Sequence, residues 1–283
     1  MSTPVPDVAH CRAALFTPGS RPDRFAKAAA TGADGLILDL EDAVALPGKD
    51  EARATVVEHF RAGHRRSLAP GQVCGLRVNN IHTGAGVRDL DALASAGIAP
   101  DFVVLPKVES AFEVRLYARH LPGIPLVCIV ESARGLEAAM EIAHADARVR
   151  ALAFGGVDLA ADLRAELAWE PLLYGRSRLV QAAASAGLGL LDVPHLALDD
   201  AAALAAECAR AKALGFTGKL AIHPKQVAPI MEAFTPAAAE IERAARMIAA
   251  LEAAGGNAVE FEGKMLEGPV VRSARRMLAL ARR

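Results

Sequence analysis

The chain has 283 residues, of which 53% are hydrophobic, enough to bury a large core and near the upper limit for a single one. Its 32 basic and 33 acidic side chains leave a formal net charge of −1, a balance that gives no electrostatic reason to expect nucleic acid or an acidic membrane as partner. Cys11, Cys74, Cys128 and Cys208 form no CxxC pair, so reduced core thiols are expected rather than disulfides or a zinc site. The opening MSTPVPDVAHCRAALF lacks a basic stretch followed by a long apolar one, and no apolar run is long enough to span a bilayer. A soluble cytoplasmic protein is expected.

Short apolar segments recur along the chain, each followed by a polar turn and a helix-patterned stretch. In order they read RAALFTPG, GLILDLED, VCGLRVNN, DFVVLPKVE, PLVCIVES, RALAFGGVD, LGLLDVPH and GKLAIHP, eight in all. Between them, GVRDLDALASAG places Val87, Leu90, Leu93 and Ala94 on one helical face and closes at Gly97. Strands that are apolar almost throughout match parallel strands covered on both faces. Eight such repeats point to a (β/α)8 TIM barrel, with an open doubly wound sheet as the alternative. The register changes after residue 233, where Thr235-Pro236 reads as a helix start. An Ala-rich helix to about Ala254, a Gly-Gly-Asn turn, a strand-like AVEFEGKM and a last helix from about Pro269 complete the chain. The expected division is a barrel domain over 1–233 and a C-terminal helical cap or exchange segment over 234–283.

Catalytic groups of such a barrel gather where strands meet the loops that follow them. Those positions hold Glu41 and Asp42 after the second strand, and Arg77 and Asn79 at the third. Lys107 and Glu109 follow the fourth, Glu131 the fifth, Asp158 the sixth, Asp192 the seventh and His223 the eighth. Glu131 and Asp158 end consecutive strands, and adjacent carboxylates repel unless one is protonated or a cation lies between them. Oxygen ligands without a His or Cys cluster favour a hard ion such as Mg²⁺; each acid could instead cap the helix after it. Arg77 suits a bidentate grip on a substrate carboxylate, or an ion pair with Glu41 or Asp42. Gly155 and Gly156 would let backbone N–H groups approach a ligand, or simply make a tight turn. Lys107 raises the chemistry of a Schiff-base aldolase beside a charge-balancing role.

Read together, FTPGSRPDRF, GLILDLEDAV, LRVN, VLPKVES, IVESARG, AFGGVDL, YGRSRLV, GFTGKLAIHPKQV and GKMLEGPVV resemble the citrate lyase β-subunit group of the HpcH/HpaI aldolase and citrate lyase family. The resemblance runs over nearly the whole chain. It implies a Mg²⁺-dependent barrel that cleaves or forms a C–C bond in acyl thioesters of 3-hydroxy acids, such as citryl-CoA or citryl-ACP giving oxaloacetate. It also implies metal ligands at Glu131 and Asp158, a carboxylate-binding Arg77, strand-end acids Glu41 and Asp42, and a carboxylate-receiving turn at Gly155, Gly156 and Val157. A homotrimer, and partner subunits of a larger citrate lyase, are further implications.

One position departs from the family pattern. Where lyases of this group often carry Met-Ile-Asp, with the Asp reaching a neighbouring subunit's site, this chain has Met265-Leu266-Glu267. Glu267 keeps the charge and adds a methylene, and catalytic geometry responds to displacements of about 1 Å. The alternatives are therefore a malyl-CoA or citramalyl-CoA lyase, or a non-catalytic paralogue that binds an oxo acid and Mg²⁺. The proton acceptor is left between Glu267 and a strand-two acid.

Overall fold

All eight apolar segments form parallel strands: β1 (Ala13–Pro18), β2 (Gly35–Asp39), β3 (Val73–Arg77), β4 (Val103–Leu105), β5 (Leu126–Val130), β6 (Val149–Phe154), β7 (Gly189–Asp192) and β8 (Gly218–Ala221). The computed structural model describes residues 7–268 and residues 271, 272, 274, 275 and 278. Each strand pairs with the next, and β8 returns to β1 through Ala13↔Lys219, Ala14↔Leu220 and Leu15↔Ala221. Closure excludes the doubly wound alternative and gives the (β/α)8 TIM barrel.

Alternate residues along each strand point to opposite faces of the sheet. The inward set is a single apolar cluster that includes Ala14, Ile37, Val104, Ile129, Ala153 and Leu220. Phe102 fills the lower interior: a Cβ on Gly75 would lie 2.5 Å from its Cδ2, so only glycine leaves room for the ring. Continued towards the C-terminal mouth, the same phase runs from Ile37 to Asp39, from Ile129 to Glu131, and from Ala153 to Gly155. The outward set packs beneath the helices.

The helix Gly84–Ser95 begins at Thr83, whose hydroxyl accepts from Gly86 N–H at 3.0 Å, and is followed by left-handed Gly97. Its buried face differs from the expected one. Leu93 is inside, but Val87 is exposed and Asp89 is buried. Asp89 accepts from Arg53 Nε at 2.6 Å and from both the backbone N–H and Nδ2 of Asn79 at 2.7 Å. This ion pair sets the rotation of the helix, and it draws Asn79 away from the barrel mouth.

The chain divides into two compact units, Val5–Glu232 and a C-terminal unit from Ala233. In the latter, the helix runs Ala238–Ala253 and starts after Ala237 rather than at Thr235. The Glu240 carboxylate accepts from Ala237 N–H at 2.8 Å, which satisfies one of the free donors of the first turn. The strand-like segment is an antiparallel hairpin, β9 (Val259–Phe261) and β10 (Lys264–Leu266). Its turn has positive φ at both Glu262 (52°) and Gly263 (74°), as two-residue hairpin turns require. Met247, Leu251, Leu266 and Val271 form the small core of this unit. The expected helix start at Pro269 lies outside the described residues. No helix among the described residues is long and apolar enough to cross a membrane.

Candidate active site

A cavity of about 360 Å³ opens at the C-terminal mouth of the barrel, bordered by strand ends and the loops that follow them. Its walls differ in chemistry. One side carries Asp39, Asp42, Arg77, Glu131 and Asp158; the other is apolar, with Val193, Leu196 and Ile222 from the loops after β7 and β8.

Arg77 ends β3 and is buried. Its side-on fork is occupied, Nε donating to Asp39 Oδ1 at 2.7 Å and Nη2 to Oδ2 at 2.6 Å. Asp39, which the strand-end reading passed over, therefore holds the arginine. The same carboxylate accepts from Glu41 N–H at 2.9 Å and Ala43 N–H at 3.1 Å, so it also shapes the loop after β2. The guanidinium stacks on Phe16, 4.5 Å from the ring centre. Nη1 lies 3.0 Å from Glu41 Oε2 and 3.3 Å from Asp42 Oδ2. The side-on edge of the guanidinium is thus closed, and Nη1 is already engaged by the acids of the β2 loop. Burial pulls against the charge of Arg77, but Asp39, Glu41 and Asp42 outweigh it and hold the group charged.

Glu41 is buried and Asp42 is largely exposed. Glu41 Oε1 accepts from Lys107 Nζ at 2.7 Å. Burial raises the Glu41 carboxyl above its ordinary range, although Arg77 and Lys107 oppose the rise. Of the two acids, only Asp42 borders the cavity.

Lys107 follows β4 with φ 52°, a left-handed backbone that non-glycine residues rarely adopt. Its N–H donates to Glu131 Oε1 at 2.7 Å. Burial works to lower the Lys107 pKa, yet Glu131, Glu41 and Asp42 raise it above its usual value. Its ammonium is bonded to Glu41 and lies 3.7 Å from Asp42 and 4.0 Å from Glu131, contacts that fit the charge-balancing role.

Glu131 continues β5 inward and is almost fully buried. Burial pushes its carboxyl up to about 8; Glu41 and Asp158 add to the rise and Lys107 counters it. Gly155, opposite it at the end of β6, makes this position possible. A Cβ there would overlap Glu131 Cβ and come within 2.5 Å of Oε2. The N–H of Gly155 donates to Val130 O at 3.0 Å, which extends the β5–β6 ladder. That donor is therefore spent, and the expectation that Gly155 offers it to a ligand is corrected to close approach. The helix Gly156–Leu163 starts here with no side-chain cap, and the N–H groups of Gly156, Val157 and Asp158 are the first-turn donors that lack partners within a helix. Val157 and Asp158 border the cavity.

The other strand-end residues do not join this site. Asp192 is one residue out of phase with inward Leu191 and points beneath the helices, where it accepts from Lys219 Nζ at 2.8 Å and Arg176 Nε at 3.0 Å. Glu109 accepts from Ser132 Oγ at 2.7 Å. His223 Nδ1 accepts from Lys225 N–H at 3.2 Å as a helix cap. Glu267, exposed, belongs to the C-terminal unit.

Four acids against one base border the cavity, and Glu131 among them is driven by burial towards its protonated form. Such an excess of negative charge fits a cation. Among the described residues no group of three or more His, Cys, Asp or Glu is placed to hold a metal. Glu131 and Asp158 would leave most coordination positions to water and ligand, a donor set that suits Mg²⁺.

A closed β/α barrel with ionised groups gathered at its C-terminal mouth defines an enzyme of the TIM-barrel class. The HpcH/HpaI aldolase/citrate lyase family model matches residues 12–224, and a model for C–C bond lyases of the TIM-barrel fold matches residues 181–282. The chain belongs to the HpcH/HpaI aldolase/citrate lyase family. It is 34% identical over 286 residues to citrate lyase subunit beta of Escherichia coli, covering 95% of this chain and 93% of that one. It is 32% identical over 293 residues to the mitochondrial citramalyl-CoA lyase of Homo sapiens, covering 95% and 85%. The crystal structure of CitE from Mycobacterium tuberculosis, in complex with magnesium, acetoacetate and coenzyme A, superposes with a TM-score of 0.81 at 36% identity, covering 98% of this chain and all of that one.

Proposed function

We propose that this protein is a Mg²⁺-dependent carbon–carbon lyase acting on acyl thioesters of 3-hydroxy acids. The first reading is citryl-CoA or citryl-ACP giving oxaloacetate and an acetyl thioester; malyl-CoA and citramalyl-CoA are the alternatives on the same scaffold. The observation that carries the reading is the pair Glu131 and Asp158, set in an excess of acid beside an arginine and an uncapped helix start. The family membership and the magnesium and coenzyme A named for the Mycobacterium tuberculosis relative support it.

Glu131 and Asp158 would hold the ion, which when bound supplies Lewis acidity to the substrate's hydroxyl and to the oxo acid that departs. Arg77, which borders the cavity, attracts the substrate carboxylate, while Asp39 and Phe16 prevent the guanidinium from turning. The first-turn N–H groups of Gly156 and Val157 favour negative charge at the same end of the cavity. A carboxylate base takes the hydroxyl proton. Asp42 is the strand-two acid open to the cavity, and Glu267 of another subunit is the second candidate. The C–C bond then breaks, its electron pair passing to the thioester as an enolate that is protonated to the acyl thioester. Assembly as a homotrimer, contact with citrate lyase partner subunits and a cytoplasmic location belong to the same proposal.

The test is a panel of citryl-CoA, malyl-CoA and citramalyl-CoA, with and without Mg²⁺, scored by the oxo acid released. Glu131→Ala should abolish both turnover and its dependence on Mg²⁺; undiminished turnover in that variant would sink the metal assignment. Tight binding of oxaloacetate and Mg²⁺ without cleavage of any thioester would move the reading to a non-catalytic binding protein.

A further inference from the structure

We infer that Lys107 is a positioning residue whose left-handed backbone, rather than its charge, presents Glu131 to the cavity as a one-oxygen ligand. The inference rests on the cation site proposed above. Lys107 has φ 52°, and this conformation turns its N–H onto Glu131 Oε1 at 2.7 Å while its side chain runs back to Glu41 Oε1, also at 2.7 Å. With Oε1 committed to that N–H, Oε2 is the oxygen left for a ligand. It lies over the face of Gly155, where a Cβ would come within 2.5 Å.

The left-handed conformation is unfavourable for a lysine and persists only where its surroundings over-determine it. Here the anchor is the ammonium. It is 3.7 Å from Asp42 and 4.0 Å from Glu131 Oε1 as well as bonded to Glu41. The carboxylate of the β2 loop thereby clamps the β4 loop, and the β4 backbone clamps the acid that ends β5. Three parts of the mouth, after β2, β4 and β5, are joined through one residue.

Charge and backbone make opposite predictions for cation binding. Removing a positive charge beside a cation site strengthens binding if charge is what matters. Losing the backbone donor weakens it. Lys107→Gly removes the ammonium but adopts positive φ freely. Lys107→Met removes the ammonium and the anchor, yet keeps the penalty for positive φ.

The experiment is direct Mn²⁺ binding to the full chain, followed by electron paramagnetic resonance in the absence of substrate. Lys107→Gly should bind Mn²⁺ at least as tightly as a third of the wild-type affinity. Lys107→Met should bind at least 10-fold more weakly than Lys107→Gly. Equal affinities in the two variants, or tighter binding by Lys107→Met, overturn the inference while leaving the cation site intact. Wild-type protein that binds no Mn²⁺ overturns the cation site and this inference with it. Lys107→Ala replaces Lys107→Met should the latter not fold. Failure of both to fold where Lys107→Gly folds supports the same conclusion, because the three share the loss of charge and differ in backbone freedom.

Discussion

Two charge networks are built at the strand ends of this barrel, one residue out of phase with each other. Asp39, Arg77, Glu41, Lys107 and Glu131 form one network at the mouth, in which Asp39, Arg77 and Glu131 border the cavity. Asp192 and Lys219 take the outward phase and meet Arg176, Glu207 and His195 beneath the helices. In the outward network all four carboxylate oxygens are engaged: Asp192 by Arg176 and Lys219, Glu207 by His195 and Lys219. In the inward network the acids outnumber the bases and border open space. Balanced charge beneath the helices ties structural elements together, whereas unbalanced charge at the mouth leaves capacity for a ligand.

The sharpest way to break this contrast is Lys219→Met. Lys219 and Asp192 are both fully buried, and stranding one partner of such a pair costs about 3–5 kcal/mol. Denaturant unfolding should show that loss, while kcat of the folded protein stays near wild type. In the inward network the expectation is reversed. Arg77→Lys keeps a charge but loses the side-on fork to Asp39. It should lower kcat/KM by roughly 10²–10³-fold, the cost of about 3–4 kcal/mol of lost transition-state stabilisation, with a much smaller change in stability.

Gly155→Ala tests the boundary between packing and ligand binding. Its Cβ overlaps Glu131, and overpacking of this kind costs about 1–3 kcal/mol. Thermal unfolding should register that cost, and Mn²⁺ affinity should fall by about 10-fold because Glu131 Oε2 must move.

The smallest effect concerns Cys208, on the helix that also carries Glu207. Burial pushes its thiol up to about 11, with Lys219 acting in the opposite direction. The folded pKa exceeds that of an unfolded thiol, so the stabilisation is complete below about pH 8.5 and declines as pH rises towards 11. Alkylation at pH 8.5 should therefore leave all four buried thiols intact until the protein is unfolded. Lys219→Met should move the onset of Cys208 reactivity to higher pH, whereas Lys107→Met should not move it.

How much of this was legible depends on phase and conformation. Eight strands stand out because each is an apolar run bounded by turn residues, and closure alone had to await the structure. The ends of those runs mark Glu131, Asp158, Arg77 and Asp42, all of which border the cavity. Asp39 was missed because it lies inside its strand, although the alternation Ile37 to Asp39 carries the signal. Asp192 was placed at the mouth because its proximity to a strand end was read without its phase. The left-handed turn at Lys107 has no sequence signature, since lysine is not a residue that favours positive φ. The diversion of Asn79 to Asp89 depends on a helix rotation set by Arg53, a contact between segments far apart in the chain.

Phe102 beneath Gly75 gives the barrel a solid floor. The interior below the cavity is thereby filled with side chains, so the cavity opens towards the mouth and not through the barrel. For a reaction that yields two products from one substrate, this imposes a queue. Under the proposed reaction, a fragment seated against Arg77 and the acids would depart after the fragment nearer the rim, so product-inhibition kinetics should show the deeper product competing with fresh substrate and the outer one not.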